Sequence, residues 1–276
     1  MPVTTHTLKE FKKQGRKIIC LTAYDYSTAK ALDNSGVDLI LVGDSLAQVA
    51  LGLENTLQVT MDDMLHHARA VVRGVKKSLV VVDMPFLSYQ VSLEEAIYNA
   101  GKCLQTGAKA VKLEGASPDI LSTIKKLVEV GIPVCGHIGF TPQSVNALGG
   151  NRVQARTAKE TKLLLEQALL LEEAGCFAIV LEMIPQETAE LITSRLEIPT
   201  IGIGAGISCD GQILVTDDLL GKFTDFKPTF VRRYAELGKE TEKAIKDFIF
   251  DVQNGKYPQI NETFYMSEAE AEKLKA

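Results

Sequence analysis

No stretch of the 276-residue sequence is apolar for long enough to be a membrane span or the core of a secretory leader, and Met1 to Lys17 is polar and lysine-rich. The expectation is a cytoplasmic protein with no anchor. An excess of positive charge is also lacking: 30 Lys and Arg stand against 35 Asp and Glu, for a net charge of −5. That leaves no electrostatic footprint for nucleic acid or an anionic membrane, and a small soluble substrate is expected instead. Cys-x-x-Cys pairs are absent. The five cysteines, at 20, 103, 135, 176 and 209, are too widely spaced for a zinc knuckle and odd in number, which suits buried thiols in a reducing compartment. No glycine-serine linker, composition shift, internal repeat or low-complexity tract divides the chain.

What the sequence does have is a series of short apolar runs, at 18–24, 38–43, 79–83, 110–114, 133–138, 178–182, 199–203 and 212–215. Most are continuous rather than alternating, the mark of strands covered on both faces and so of a parallel sheet. Helical stretches with start signals lie between them. Thr60-x-x-Asp63 and Ser92-x-x-Glu95 read as capping boxes opening helices over 61–76 and 93–105. Ser117 with Pro118 reads as an N-cap and first helical position, with Gly131 as the stop; 157–174, 186–196 and 232–254 supply further helices. Alternation of eight strands with helices in an undivided chain predicts an α/β protein, a single-domain (β/α)8 barrel of the TIM type, over 1–265, with 266–276 as a polar tail. The segment 5–14 is expected to plug the barrel floor as an extra helix. About a dozen positions separate the starts of strands seven and eight, so the crossover there must be shortened.

The runs end in polar residues: Gly43-Asp44-Ser45, Asp83-Met84-Pro85, Lys112-Leu113-Glu114, Gly136-His137 and Leu181-Glu182. In a (β/α)8 barrel these tips converge on one mouth, and buried carboxylates need a shared cation or a proton-transfer task. Oxygen ligands without cysteine or paired histidine suit Mg²⁺, with Asp44 and Asp83 as direct ligands. Either aspartate taken alone could simply cap the next turn, as Asp25 is expected to do. Lys112 and Glu114 share a face by the two-residue period, which makes them either a buried ion pair or a substrate-carboxylate contact and a support for the metal. His137 is either structural or a substrate contact. Glu182 follows an apolar run, a setting suited to a proton acceptor. The glycines of Gly202-Ile203-Gly204-Ala205-Gly206 do not have the G-x-G-x-x-G spacing, and no long helix follows them. They read as room at a crowded mouth, with phosphate binding by the loops after strands seven and eight as the other reading.

Across about 7–258 the chain resembles the ketopantoate hydroxymethyltransferase family. The resemblance rests on Leu21-Thr22-Ala23-Tyr24-Asp25, Val42-Gly43-Asp44-Ser45, Val59-Thr60 with Met64, Asp83-Met84-Pro85-Phe86 with Ser88-Tyr89-Gln90, Val111-Lys112-Leu113-Glu114-Gly115, Gly136-His137-Ile138-Gly139 with Thr141-Pro142-Gln143-Ser144, and Ile201-Gly202-Ile203-Gly204-Ala205-Gly206. It implies transfer of a hydroxymethyl group from 5,10-methylenetetrahydrofolate to 3-methyl-2-oxobutanoate, giving 2-dehydropantoate for pantothenate synthesis. It further implies one Mg²⁺ held by Asp44, Asp83 and Glu114; contacts from Asp44, Ser45, Asp83 and Lys112 to the oxo acid; Glu182 as the base; and a homodecamer. Leu87, Ala116, Ala155 and Thr216 stand where many members are expected to carry Gly, Gly, Gly and His. Two rivals remain. One is a Mg²⁺-dependent lyase or mutase of the phosphoenolpyruvate mutase and isocitrate lyase type, for which Cys209 is the lid cysteine to check. The other is a catalytically silent barrel that binds metal or metabolite within an assembly.

Overall fold

The structure, a computed structural model, describes residues 2–275, so the two ends of the segments read above as 1–17 and 266–276, Met1 and Ala276, lie outside it. Eight strands, β1 (Ile18–Thr22), β2 (Leu39–Val42), β3 (Leu79–Asp83), β4 (Ala110–Glu114), β5 (Val134–Gly139), β6 (Ala178–Glu182), β7 (Thr200–Ile203) and β8 (Gly211–Leu214), pair in parallel in sequence order, and β8 returns to β1 to close a barrel. The helices are α1 (Thr5–Lys13), α2 (Tyr26–Ser35), α3 (Leu46–Val49), α4 (Met61–Gly74), α5 (Leu93–Gln105), α6 (Pro118–Glu129), α7 (Val145–Leu148), α8 (Ala158–Glu173), α9 (Gln186–Arg195), α10 (Thr216–Leu219), α11 (Leu237–Gln253) and α12 (Glu268–Lys273). This is the single-domain (β/α)8 barrel expected from the pattern of runs.

Two apolar layers account for the continuous runs. Leu39, Leu41, Val81, Cys135, Val180, Ile201 and Ile213 fill the barrel interior. The residues between them in sequence, such as Ile40, Val80, Val82, Leu113, Ile179 and Leu181, pack outward beneath the helices. No helix lies between β7 and β8, as their spacing required. The outer face is correspondingly bare there: Ile19 of β1 is 48% exposed, and Gln212 of β8 is exposed as well.

Local signals set the helix ends. Thr60 and Asp63 form a reciprocal capping box on α4, and Thr157 with Glu160 forms another on α8. The box expected at Ser92 is only half made. Its hydroxyl accepts from the Glu95 N–H at 3.1 Å, while the Glu95 side chain stays exposed. Asp25 caps α2, accepting from the Thr28 N–H at 2.9 Å. The helix read at 232–254 begins only at Leu237, because residues 221–236 run as an irregular segment across the barrel mouth. Leu87 and Ala155, where the resemblance expects glycine, both take left-handed backbone, at φ 65° and 53°. A side chain there costs about 1–2 kcal/mol, which explains the expectation.

The floor is plugged by α1, whose Leu8 is fully buried against the interior layer beside Val3 and Phe11. Lys12 ties the plug down, 2.9 Å from Asp210 Oδ2 and 3.0 Å from the Thr193 carbonyl. Removing three carbons there should leave a cavity that rigid strands cannot close. Leu8→Ala is expected to lower unfolding stability by about 2–5 kcal/mol in a denaturant titration, and an unchanged midpoint would mean that α1 is not part of the core.

Candidate active site

Strand register brings the scattered polar tips together. Asp83, the last residue of β3, pairs in register with Lys112 of β4; Glu114 pairs with His137 of β5; and Gly139 pairs with Glu182, the last residue of β6. All five side chains point into the mouth, since each continues the inward alternation of its strand. Asp44 sits just beyond β2. Its own N–H donates to Asp83 Oδ2 at 3.0 Å. A side chain at Gly43 would come within 2.8 Å of Ser45 Oγ, so glycine is what lets this turn fold so closely over the acid pair. The Ser45 hydroxyl is 2.8 Å from the Tyr24 hydroxyl.

Lys112 is the hub. Its Nζ lies 3.0 Å from Asp83 Oδ1, 3.7 Å from Glu114 Oε1 and 3.1 Å from His137 Nδ1. The simple Lys112–Glu114 pair read from the sequence is therefore the longer of two ion pairs. His137 Nδ1 is also 3.2 Å from Glu114 Oε1, and Nε2 is 3.1 Å from Glu182 Oε2. Glu182 thus sits beside an imidazole rather than in the purely apolar setting its preceding run suggested. It is the least buried of the group, with its side chain 15% exposed to the cavity.

Two further residues complete the site and carried no chemical signal in the sequence beyond their place in family-like strings. Gln143, in the loop after β5, donates from Nε2 to Asp44 Oδ2 and to the Met84 carbonyl, both at 2.9 Å. Its backbone N–H donates to Glu114 Oε2 at 3.0 Å. Tyr89 donates to Gln143 Oε1 at 2.9 Å and accepts from the Glu114 N–H at 3.2 Å. An uncharged loop glutamine looks like any other polar residue until the fold closes it over the acids.

The electrostatics are unbalanced. Asp44 is buried beside Asp83 and Glu114, and burial followed by their like charge pushes its pKa well up. Burial raises Asp83 too, against the pull of Lys112. Burial works against the Lys112 charge, but Asp83, Glu114 and Asp44 overcome it and hold the ammonium protonated. For His137, burial and Lys112 oppose protonation, yet Glu114 and Glu182 push its pKa up to about 9. Glu114 is lowered against burial, chiefly by His137. The acids outnumber the cations: among the described residues Asp44 has no cation within ion-pair distance, Asp83 Oδ1 has Lys112 at 3.0 Å, and Glu114 Oε1 has His137 at 3.2 Å and Lys112 at 3.7 Å. Among the described residues no three His, Cys, Asp or Glu side chains form a ready-made metal cage. A hard cation that keeps its waters needs only one or two carboxylates, so the aspartate pair fits Mg²⁺. These groups line a cavity of about 880 Å³.

A model of the family described as ketopantoate hydroxymethyltransferase matches residues 2–260. The chain belongs to that family. It is 54% identical over 262 residues to the 3-methyl-2-oxobutanoate hydroxymethyltransferase of Acetivibrio thermocellus, covering 95% of this chain and 92% of that one. It is 51% identical over 275 residues to the enzyme of the same description from Clostridioides difficile, covering 99% and 100%. As a ketopantoate hydroxymethyltransferase it is a one-carbon transferase of pantothenate biosynthesis. Solved structures add the architecture. A phosphonopyruvate hydrolase superposes with a TM-score of 0.63 at 13% identity, covering 99% of this chain and 95% of that chain. A 2,3-dimethylmalate lyase does so with 0.60 at 14%, covering 100% and 99%. The lyase and mutase rival therefore shares the barrel, whereas family membership separates the chemistry. All five cysteines, Cys209 included, are buried free thiols, so none serves as an accessible lid nucleophile.

Proposed function

We propose that the mouth enolises 3-methyl-2-oxobutanoate at Glu182 and adds the enolate to the one-carbon unit of 5,10-methylenetetrahydrofolate. Water first takes the one-carbon unit off tetrahydrofolate as formaldehyde, which frees tetrahydrofolate and supplies the hydroxyl oxygen of 2-dehydropantoate when the enolate adds. The observation that carries this reading is the division of labour among the acids. Asp44, Asp83 and Glu114 are buried and tied to Gln143, Lys112 and His137, while Glu182 is the most exposed of the four to the cavity and has only His137 beside it. Lys112 would hold the substrate carboxylate, with Ser45 and His137 as further contacts. Asp44 and Asp83 would hold Mg²⁺, with Glu114 supporting it directly or through water. When bound, the ion supplies positive charge that acidifies C3 and steadies the enolate. Glu182 takes the C3 proton and Gln143 keeps the acids in place.

The test is direct: purified protein, Mg²⁺, 3-methyl-2-oxobutanoate and methylenetetrahydrofolate should yield 2-dehydropantoate, and EDTA should abolish it. Absence of product from that mixture would sink the reading and revive the silent barrel.

Self-association belongs to the same proposal. Ile245, Phe248, Ile249 and Val252 form one stripe along α11 and are 46–55% exposed, and no residue of α11 is buried. An amphipathic helix with nothing beneath its apolar face wants a partner, and the bare flank around Ile19 offers a second such surface. We assign both to further copies of the chain, with a homodecamer as the expected assembly. Ile249→Glu should shift sedimentation velocity toward smaller species, and a wild-type chain that sediments as a monomer would defeat the assignment. Among the described residues no helix is long and apolar enough to cross a membrane. The five free thiols support a reducing, cytoplasmic setting.

A further inference from the structure

The cavity at the barrel mouth has two unlike halves. The acids and Lys112 gather at the tips of β2 to β6, and a five-carbon oxo acid needs only that side. The whole cavity is about 880 Å³, near the top of the roughly 300–1,000 Å³ that encloses a drug-sized ligand. Its other half is walled by Phe223, Phe226 and Phe230, from the irregular segment 221–236 after α10. The glycine string after β7 has its explanation here: a side chain at Gly204 would come within 2.9 Å of the Phe230 ring, so the glycine admits an aromatic wall.

One carboxylate lines this aromatic half. Asp218 of α10 is 8% exposed and faces the cavity. Its neighbour Asp217 is paired with Lys222 at 3.0 Å. The Arg233 guanidinium uses its two terminal nitrogens on the Phe223 carbonyl at 3.0 Å and on Glu236 at 3.5 Å, and its buried Nε makes no hydrogen bond. Among the described residues nothing hydrogen-bonds or ion-pairs with the Asp218 side chain. Burial, with Asp217 adding to it and Arg233 opposing, pushes its pKa up to about 6. Its oxygens open onto the cavity as unused acceptors, and the mechanism at the other end makes no use of them.

We propose that this half is the pterin subsite of the folate donor and that Asp218 is its anchor, accepting the 2-amino and N3–H donors of the pterin ring as a bidentate pair. The phenylalanines supply flat apolar walls for the ring, and a planar edge with two parallel N–H groups is the complement of one carboxylate. The ligand class is thus a 2-amino-4-oxopteridine, with its one-carbon unit turned toward Glu182. This assignment rests on the folate-donor reading above.

Asp218→Asn keeps the shape but turns one acceptor into a donor. Tetrahydrofolate affinity, by calorimetry, and the KM for methylenetetrahydrofolate are expected to weaken about ten- to a hundredfold. Exchange of the oxo-acid C3 proton in deuterated buffer without folate serves as the internal control. Wild type should also reject a methylene donor lacking the pterin 2-amino group, and the variant should lose that preference. Unchanged tetrahydrofolate affinity in Asp218→Asn would overturn the proposal. So would loss of C3 exchange together with affinity, which would make Asp218 a support of the whole mouth. A wild-type enzyme that exchanges the C3 proton yet forms no product with methylenetetrahydrofolate would sink the donor reading and this subsite together, and it is distinguished by failing before any variant is made.

Discussion

Glu182→Gln should abolish exchange of the C3 proton of 3-methyl-2-oxobutanoate while leaving the oxo acid bound. The amide is nearly isosteric, and its carbonyl oxygen can still accept from His137 Nε2, which lies 3.1 Å from the carboxylate it replaces. No tightly paired acid is removed. Asp44, Asp83 and Glu114 keep their contacts to Gln143, Lys112 and His137. What disappears is the carboxylate of the acid cluster most exposed to the cavity. Positioned general bases contribute about 10²–10⁴-fold, so kcat should fall by that factor, with KM for the oxo acid little changed. Proton NMR of the substrate in D₂O, with Mg²⁺ and no folate, reads the step in isolation. Exchange at the wild-type rate would clear Glu182 and send the search for the base elsewhere in the mouth.

The barrel was readable because both faces of every strand but β1 and β8 are covered, and double coverage writes itself as unbroken apolar runs. Even the omitted crossover between β7 and β8 was visible as spacing. Site membership was readable for a related reason. Asp83, Lys112, Glu114, His137 and Glu182 occupy inward positions of strands, and strand position survives in the sequence as period two. Gln143, Tyr89 and Asp218 were not legible as working residues. The first two act through loop closure around Glu114 and Asp44, and the third stands out only because its surroundings offer it no donor, neither of which leaves a pattern along the chain. The balance of partners was hidden too: Lys112 is nearer to Asp83 than to Glu114, since register sets Asp83 beside it on the neighbouring strand.

That pairing decides what Asp83→Asn should do. Asp83 serves two neighbours, accepting the Asp44 N–H on Oδ2 and facing the Lys112 ammonium with Oδ1. An asparagine can keep the first with its single oxygen, but its NH₂ must then meet the ammonium, donor against cation. Breaking a buried pair in this way ordinarily costs about 3–5 kcal/mol. Here part of that is returned, because Asp44 loses the like charge that raises its pKa and Lys112 retains Glu114. Stability should therefore drop by less than that cost. Cation binding has no such relief. Removing even a supporting group around a metal typically weakens affinity about 10–100-fold, and a direct ligand should exceed this. The Mg²⁺ concentration giving half-maximal activity is expected to rise by at least that factor, with partial recovery at saturating Mg²⁺. A Mg²⁺ titration indistinguishable from wild type would place the ion away from the Asp44–Asp83 pair, and Lys112 with His137 would then be left to bind the substrate carboxylate and steady the enolate.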